Sequence, residues 1–312
     1  MARRPFVIDT DTASDDAVAL WMALRDPTID VRAITVVAGN VPLDRAVQNA
    51  LFTVEQAGRT DVAVYAGAAA PLARPLFTAE FVHGQDGMGD IGLPLTGRTP
   101  ASGDAVDVLV EVIMDHAPGS LTLVTLGPLT NVALAFRRDP SLAPRLASVV
   151  VMGGTGDAIG NVSAVAEFNI FVDPEAAAEV FASGAAITMV GWDISRTSAV
   201  IDHALAGELR RLGPLGALAM DIQAKVDAFA THETHLAGFD LPDPIAMAVA
   251  LDRSVATRIE RRNVVVEVRG EFTAGQTVVD HLGLTDRAPN VDLVLEASRE
   301  GFLRLLRERL AD

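Results

Sequence analysis

Residues 6–16 read FVIDTDTASDD. The apolar run Phe6–Ile8, with β-branched Val7 and Ile8, has the composition of a buried strand, and it leads straight into Asp9 and Asp11. A few positions on, Ser14, Asp15 and Asp16 precede Val18, Trp21 and Met22, whose spacing of three and four predicts a helix over 14–25. A strand that hands its carboxyl end to a helix is the first half of a βαβ unit. The same alternation continues outward along the chain. Further strands are expected at Val31–Val37, Val62–Tyr65, Leu121–Leu126, Ser148–Met152, Ala186–Val190 and Asn263–Val268. Helices are expected near 43–58, 103–116, 129–138, 174–183 and 244–251, over 202–235 with a break at Gly213 and Pro214, and over 290–310. This predicts an α/β fold: an open, mostly parallel, doubly wound sheet flanked by helices. No repeat, low-complexity tract or linker interrupts 1–312, so a single domain is expected. The Gly- and Pro-rich stretch 74–100 reads as a rim or lid. In such sheets ligands bind at the carboxyl edge of the strands.

Four carboxylates, Asp9, Asp11, Asp15 and Asp16, fall within eight positions at that edge. Part of the cluster has a purely structural reading: Ser14 is a good N-cap, and Asp15 and Asp16 complement the helix dipole. Capping does not account for Asp9 and Asp11, which arrive from the strand side. Like charges so placed repel and raise one another's pKa unless a cation neutralises them. Oxygen donors without Cys or clustered His favour a hard ion, Ca²⁺ or Mg²⁺.

Other candidates follow. Asp243, beside Pro244 at a helix start, is a cap or a further ligand. The segment 153–174 carries Asn161, Glu167 and Asn169 among apolar residues; if extended, Glu167 and Asn169 share one face, and such groups suit a polyhydroxylated ligand. Asn40 ends a strand as a turn residue or an edge ligand. Pro128, in GPLTN, starts a helix.

Composition narrows the function classes. The 312 residues carry 41 acidic and 25 basic side chains, a net charge of −16, which disfavours nucleic acid and anionic membrane surfaces as partners. There is no Cys, hence no disulfide, thiol nucleophile or Cys-type zinc site. The opening MARRPFVIDT has too short an apolar run for a signal peptide, and no stretch approaches the roughly 18 apolar residues of a membrane span. A cytoplasmic protein acting on a small molecule is expected.

The motifs together resemble the inosine-uridine-preferring nucleoside hydrolases over nearly the whole chain. The most specific is the DxDxxxDD cluster, Asp9 to Asp16. It is followed in family order by VAGN (37–40), HGQDGMG (83–89), LGPLTN (126–131), MGG (152–154), GNVSAVAEFNIFVDPEAA (160–177) and DP (243–244). The resemblance implies a Ca²⁺ deep in a pocket and hydrolysis of the N-glycosidic bond of ribonucleosides to ribose and free base. By position it implies that Asp11 is both a calcium ligand and the base that activates the attacking water. Asp16, Asp243 and the backbone carbonyl of Leu126 would be further ligands. Asp15 and Asn40 would meet the ribose 2′- and 3′-hydroxyls, Asn161, Glu167 and Asn169 its 3′ and 5′ side, and Met152 would line the sugar pocket. Asp9 would orient its neighbours, and a homodimer or homotetramer is implied.

Two departures stand out. Thr12-Ala13 occupies a position where the family usually has Pro-Gly. Pro242 stands where many purine-accepting members carry a His that protonates the leaving base. His83 matches another pocket His and can serve instead; His232, Glu233 and His235 in THETH lack the zinc spacing. Phe229, Trp192 and Phe239 can stack on a base or belong to the core. Two other readings compete. A nucleoside- or ribose-binding protein would have lost hydrolysis through Pro242. A haloacid-dehalogenase-type phosphatase would use Asp9-Thr10-Asp11, and would need Lys225 and an acidic pair such as Asp104 and Asp107.

Overall fold

The computed structural model describes residues 3–234 and 237–311. Eleven strands are found among them: β1 (Arg4–Thr10), β2 (Ile29–Val36), β3 (Val64–Ala66), β4 (Thr122–Thr125), β5 (Ser148–Met152), β6 (Ile187–Val190), β7 (Val200–Ile201), β8 (Phe239–Asp240), β9 (Ala256–Val266), β10 (Thr277–Asp280) and β11 (Val291–Ala297). Nine form one sheet in the order β10-β9-β11-β6-β5-β4-β1-β2-β3, and β7 pairs with β8 in a small antiparallel ribbon. From β3 to β11 the neighbours run parallel; β9 and β10 close that edge antiparallel. The chain winds β1-β2-β3 to one side and then β4-β5-β6 to the other. The strand order therefore reverses between β1 and β4, and a crevice opens at their carboxyl ends.

Apolar side chains fill both faces of the sheet, with one core under helices 14–24, 43–56, 242–251 and 299–310 and a second under helices 105–115, 130–138 and 174–182. Helices Ser14–Leu24 and Pro242–Leu251 are packed side by side and buried along their length, Pro242 at the cavity excepted. Ala17, Ala19, Ala246 and Ala248 keep them thin enough to enclose on all sides, as an apolar helix without a polar face requires. Their N-termini lie together at the crevice, which brings Asp15 and Asp16 toward Asp243.

The structure corrects several expectations. Residues 290–310 are not one helix. In VDLVLEA, Val291, Leu293 and Leu295 join the core on one face of the sheet and Val294 the core on the other, the two-residue alternation of β11, inserted between β6 and β9; the helix starts only at Arg299, capped by Ser298. Strand β9 starts at Ala256 rather than at 263, and β10 lies where none was expected. Ser14 is not the N-cap: Ala13 takes that place, and its N–H donates to Asp16 Oδ2 at 2.9 Å. Glu167 and Asn169 do not share an extended face; Glu167 caps the short helix Phe168–Val172, and Asn169 lies in its first turn. Helix 242–251 starts at Pro242, so Pro242, not Pro244, supplies its first residue. The Gly-rich stretch 74–100 is mainly loop, with one turn of helix at Glu80–His83.

Candidate active site

Asp9, Asp11 and Asp16 are fully buried, and Asp15 and Asp243 nearly so. Asp11 leaves the end of β1 with Oδ2 held by the backbone N–H of Asn40 at 2.6 Å, while Oδ1 is enclosed and has no partner among the described residues. Gly39 and Gly127 allow this approach: a Cβ on Gly127 would stand 2.7 Å from Asp11 Oδ1, and one on Gly39 would collide with Oδ2. Asp16 accepts from Thr10 Oγ1 at 2.5 Å and from the Ala13 N–H; Thr10 and Thr12 hydroxyls meet at 3.0 Å, so Thr12-Ala13 ties the loop to the carboxylate. Asp9 orients its neighbours through one oxygen, which accepts from Thr35 Oγ1 at 2.5 Å and Asn131 Nδ2 at 2.9 Å.

Asp15, Asp16 and Asp243 each present a carboxylate oxygen, and these lie within 4.8 Å of one another. Asp11 stands beside this group. Burial, then the neighbouring Asp16 charge, pushes its carboxyl well above the usual range. Asp243 is raised for the same reasons, with Asp15 and Asp11 adding to the repulsion. Burial likewise raises Asp15 and Asp16 to about 6 and Asp9 to about 7. Removing four such groups from water and placing them together costs several kcal/mol per ion unless a counter-charge compensates. Unpartnered Asp11 Oδ1 and Asp15 Oδ1 offer free lone pairs for one. The donor set, all oxygen, fits a hard divalent cation.

Above the carboxylates is a cavity of about 110 Å³. Nine of the eleven residues expected at the site line it: Asp15, Asn40, His83, Leu126, Met152, Asn161, Glu167, Asn169 and Asp243; Asp11 and Asp16 lie beneath its floor. The polar wall is rigidly held. Glu167 accepts from the backbone N–H groups of Gly154, Asn169 and Ile170, which take three of its four lone-pair sites, and burial raises it to about 7. Asn161 Oδ1 accepts from the Phe168 N–H at 2.9 Å, which turns its amide nitrogen outward as a donor. Asn169 Nδ2 donates to the Leu126 carbonyl at 2.8 Å, which leaves its own oxygen as an acceptor. The Leu126 carbonyl thus already carries one hydrogen bond and retains one lone pair.

The mouth is apolar and aromatic. Phe81 and Phe229 meet edge to face at 5.9 Å, and Trp192, Val162 and Pro242 complete the wall; Phe239 is core. His83, between floor and mouth, is lowered to about 4 by burial. Sequence reasoning missed Phe81, Val226 and Asp240. Asp240 lines the cavity, accepts from Ser195 Oγ at 2.6 Å, and is raised by burial. Its spacing three before Asp243 carried no signal, because β8 brings it back from a separate ribbon. His232 and Glu233 are exposed, and His235 lies outside the described residues.

The phosphatase reading finds no constellation. Asp104 caps helix Ala105–Asp115, Asp107 pairs with Arg138, and Lys225 pairs with Asp90 at 3.5 Å; none lines the cavity.

Comparison with known proteins agrees with this geometry. The family model "Inosine-uridine preferring nucleoside hydrolase" matches residues 6–304. The pyrimidine-specific ribonucleoside hydrolases RihA of Salmonella enteritidis PT4 and of Klebsiella pneumoniae are each 39% identical, over 98% of this chain and 98% of their own. Among solved structures, a plant nucleoside hydrolase superposes with a TM-score of 0.91 at 33% identity over 99% of both chains. A purine-preferring ribonucleoside hydrolase from Gardnerella vaginalis superposes with a TM-score of 0.90 at 31% identity over 98% of both. Full-length matches of this kind leave one assignment: the chain belongs to the inosine-uridine preferring nucleoside hydrolase family, enzymes that hydrolyse the N-glycosidic bond of ribonucleosides.

Proposed function

We propose that the chain hydrolyses pyrimidine ribonucleosides to ribose and free base with the help of a Ca²⁺ ion held by Asp11, Asp16, Asp243 and the Leu126 carbonyl. The observation that carries this reading is Asp11: a buried carboxylate with one oxygen anchored by Asn40 and the other unpartnered, beside three converging carboxylates. A Ca²⁺ held by these residues would supply charge compensation and Lewis acidity toward water. Asp11 Oδ1 is the acceptor for the proton of the attacking water, while the Asn40 N–H fixes the carboxylate plane. Asp15 also belongs to the tight carboxylate grouping; its placement fits a contact to the ribose 2′- and 3′-hydroxyls shared with Asn40.

The rest of the polar wall suits a sugar. Asn161 offers a donor, Asn169 an acceptor, and Glu167 its remaining lone pair, a mixed set that pairs with hydroxyls on the 3′ and 5′ side. Met152 covers the apolar face. As the base departs, the sugar becomes oxocarbenium-like, and the surrounding negative carboxylates stabilise that positive charge. Phe81, Phe229 and Trp192 give the base an aromatic surface. The choice of pyrimidine rests on the relatives at 39% identity, which are named pyrimidine-specific. The reading extends to one catalytic domain over the whole chain, which assembles as a homodimer or homotetramer and serves nucleoside salvage in the cytoplasm.

The test is reducing-sugar release from a panel of purine and pyrimidine ribonucleosides, with calcium and with a strong chelator. Cleavage of uridine or cytidine that chelation abolishes and calcium restores is expected. Undiminished turnover in chelator removes the metal from the reading, and inertness toward the whole panel removes the substrate class.

A further inference from the structure

His83 is the one imidazole on the cavity wall among the described residues, and the role open to it depends on which ring nitrogen holds the proton. The surrounding hydrogen bonds decide this. Gln223 is fully buried, and its Nε2 donates to the Ser14 carbonyl at 2.9 Å, which fixes the amide: the reverse orientation would set two acceptor oxygens against each other. Gln223 Oε1 therefore faces Ser14 Oγ, at 3.0 Å, and takes the hydroxyl proton. Ser14 Oγ, its one proton committed, can only accept from its other neighbour, His83 Nδ1, also at 3.0 Å. The Asp15 carboxylate, 3.8 Å from the same nitrogen, favours a proton there as well. Nε2 has no hydrogen bond among the described residues, and it is not one of the enclosed unpartnered atoms, so it is accessible to a ligand.

We infer that Gln223 and Ser14 are positioning residues that lock His83 as the Nδ1–H tautomer, so that Nε2 is a hydrogen-bond acceptor for an N–H of the base or the 5′-hydroxyl of the bound nucleoside. In the neutral ring, which burial favours, His83 holds no proton on the nitrogen that faces substrate and does not protonate the leaving base. The place of the missing His at 242 is thus not taken by His83. Discrimination follows from the same geometry, because a ligand that lacks the donor leaves Nε2 without a partner.

The substrate arm of the test rests on the nucleoside-hydrolase reading; the ring assignment does not. Full-length, calcium-loaded protein with ¹⁵N-labelled histidines is examined by long-range ¹H–¹⁵N NMR at neutral pH, with the His83 signals identified by their loss in His83→Phe. The pattern of a ring protonated at Nδ1 alone is expected. Gln223→Met removes the oxygen that takes the Ser14 proton, and the pattern should move toward Nε2–H. An Nε2–H ring or an imidazolium in the unsubstituted protein overturns the inference, as does an unchanged ring in Gln223→Met.

In kinetics, His83→Phe should lower kcat/KM for uridine about tenfold, the worth of one hydrogen bond. It should leave kcat/KM unchanged for the analogue that lacks the donor Nε2 reads. That analogue is 3-methyluridine if the donor is on the base and 5′-deoxyuridine if it is on the sugar. An equal loss on all three substrates overturns the acceptor role. A protein that cleaves none of them fails the earlier reading instead, with the tautomer still decided by the spectrum.

Discussion

Asp11 keeps its two oxygens in different states: Oδ2 is anchored by the Asn40 N–H, and Oδ1 is enclosed without a partner among the described residues. Under the proposed mechanism, that asymmetry separates a role in folding from one in catalysis. In Asp11→Asn the bond to Asn40 survives, the acceptor for a proton is lost, and one buried charge disappears. Turnover should fall by about 10³-fold, the usual worth of a general base, while the thermal midpoint in chelator rises because burial and the Asp16 charge no longer disfavour that side chain. Activity assays and thermal melts of the same preparation check both signs. A variant that loses activity and stability together would make Asp11 a structural residue. Asp9 has the same division, with Oδ1 committed to Thr35 and Asn131 and Oδ2 enclosed without a partner among the described residues, and it does not line the cavity.

At the scale of elements, the site is made where two buried helices and the ends of β1 and β4 meet. The contribution of β1 was legible in the sequence, because an apolar run entering four carboxylates reads as a strand end and a helix start within a few residues. Asp243 was legible only as a helix-start residue; its approach to Asp15 and Asp16 depends on the pairing of helices 14–24 and 242–251, a contact between segments more than two hundred residues apart. Glu167 lines the cavity, but on a different local structure from the extended one expected. Neighbours that alternate polar and apolar are compatible with a strand, and the cap became visible only through the backbone groups it satisfies. The error over 290–310 has a similar cause: VDLVLEA and the following Leu-rich stretch are both apolar, and what separates strand from helix is only that alternate side chains of VDLVLEA join two opposite cores.

Pro242 tests the element scale directly. It is the first residue of its helix and lines the cavity. Pro is favoured at that position, so Pro242→His should cost at most about 1 kcal/mol of stability. It sets an imidazole beside the base, and the expected outcome is a gain in kcat/KM for purine nucleosides with little change for uridine. A gain of the same size on both, or on neither, would mean that protonation of the leaving base is not what limits this enzyme.

For the whole molecule, the net charge of −16 divides into two populations with opposite pH behaviour. Carboxylates away from the cavity, such as Asp26 and Asp280, are held below their ordinary range by hydrogen bonds, and Asp26 also by Arg309, so their stabilisation is complete once the pH exceeds about 4. The buried group is raised instead: Asp15 and Asp16 to about 6, Asp9 and Glu167 to about 7. Between about pH 4 and 7 the folded chain therefore holds more protons at these four sites than the unfolded chain does, and stability is lost as pH rises through the folded values. His83, lowered to about 4, acts in the opposite sense over part of the window, one group against four. In chelator, the thermal midpoint should fall from about pH 5 to about pH 7.5. On the proposed reading, saturating calcium should bind the ionised carboxylates, displace their protons, and stabilise the folded state more at the upper end of that range than at the lower. The two melting curves should therefore diverge as pH rises, and proton release on calcium addition, measured near pH 6 in weak buffer, should accompany the divergence. Parallel curves, or a midpoint in chelator that climbs with pH, would mean that the buried carboxylates are not the groups the cation neutralises.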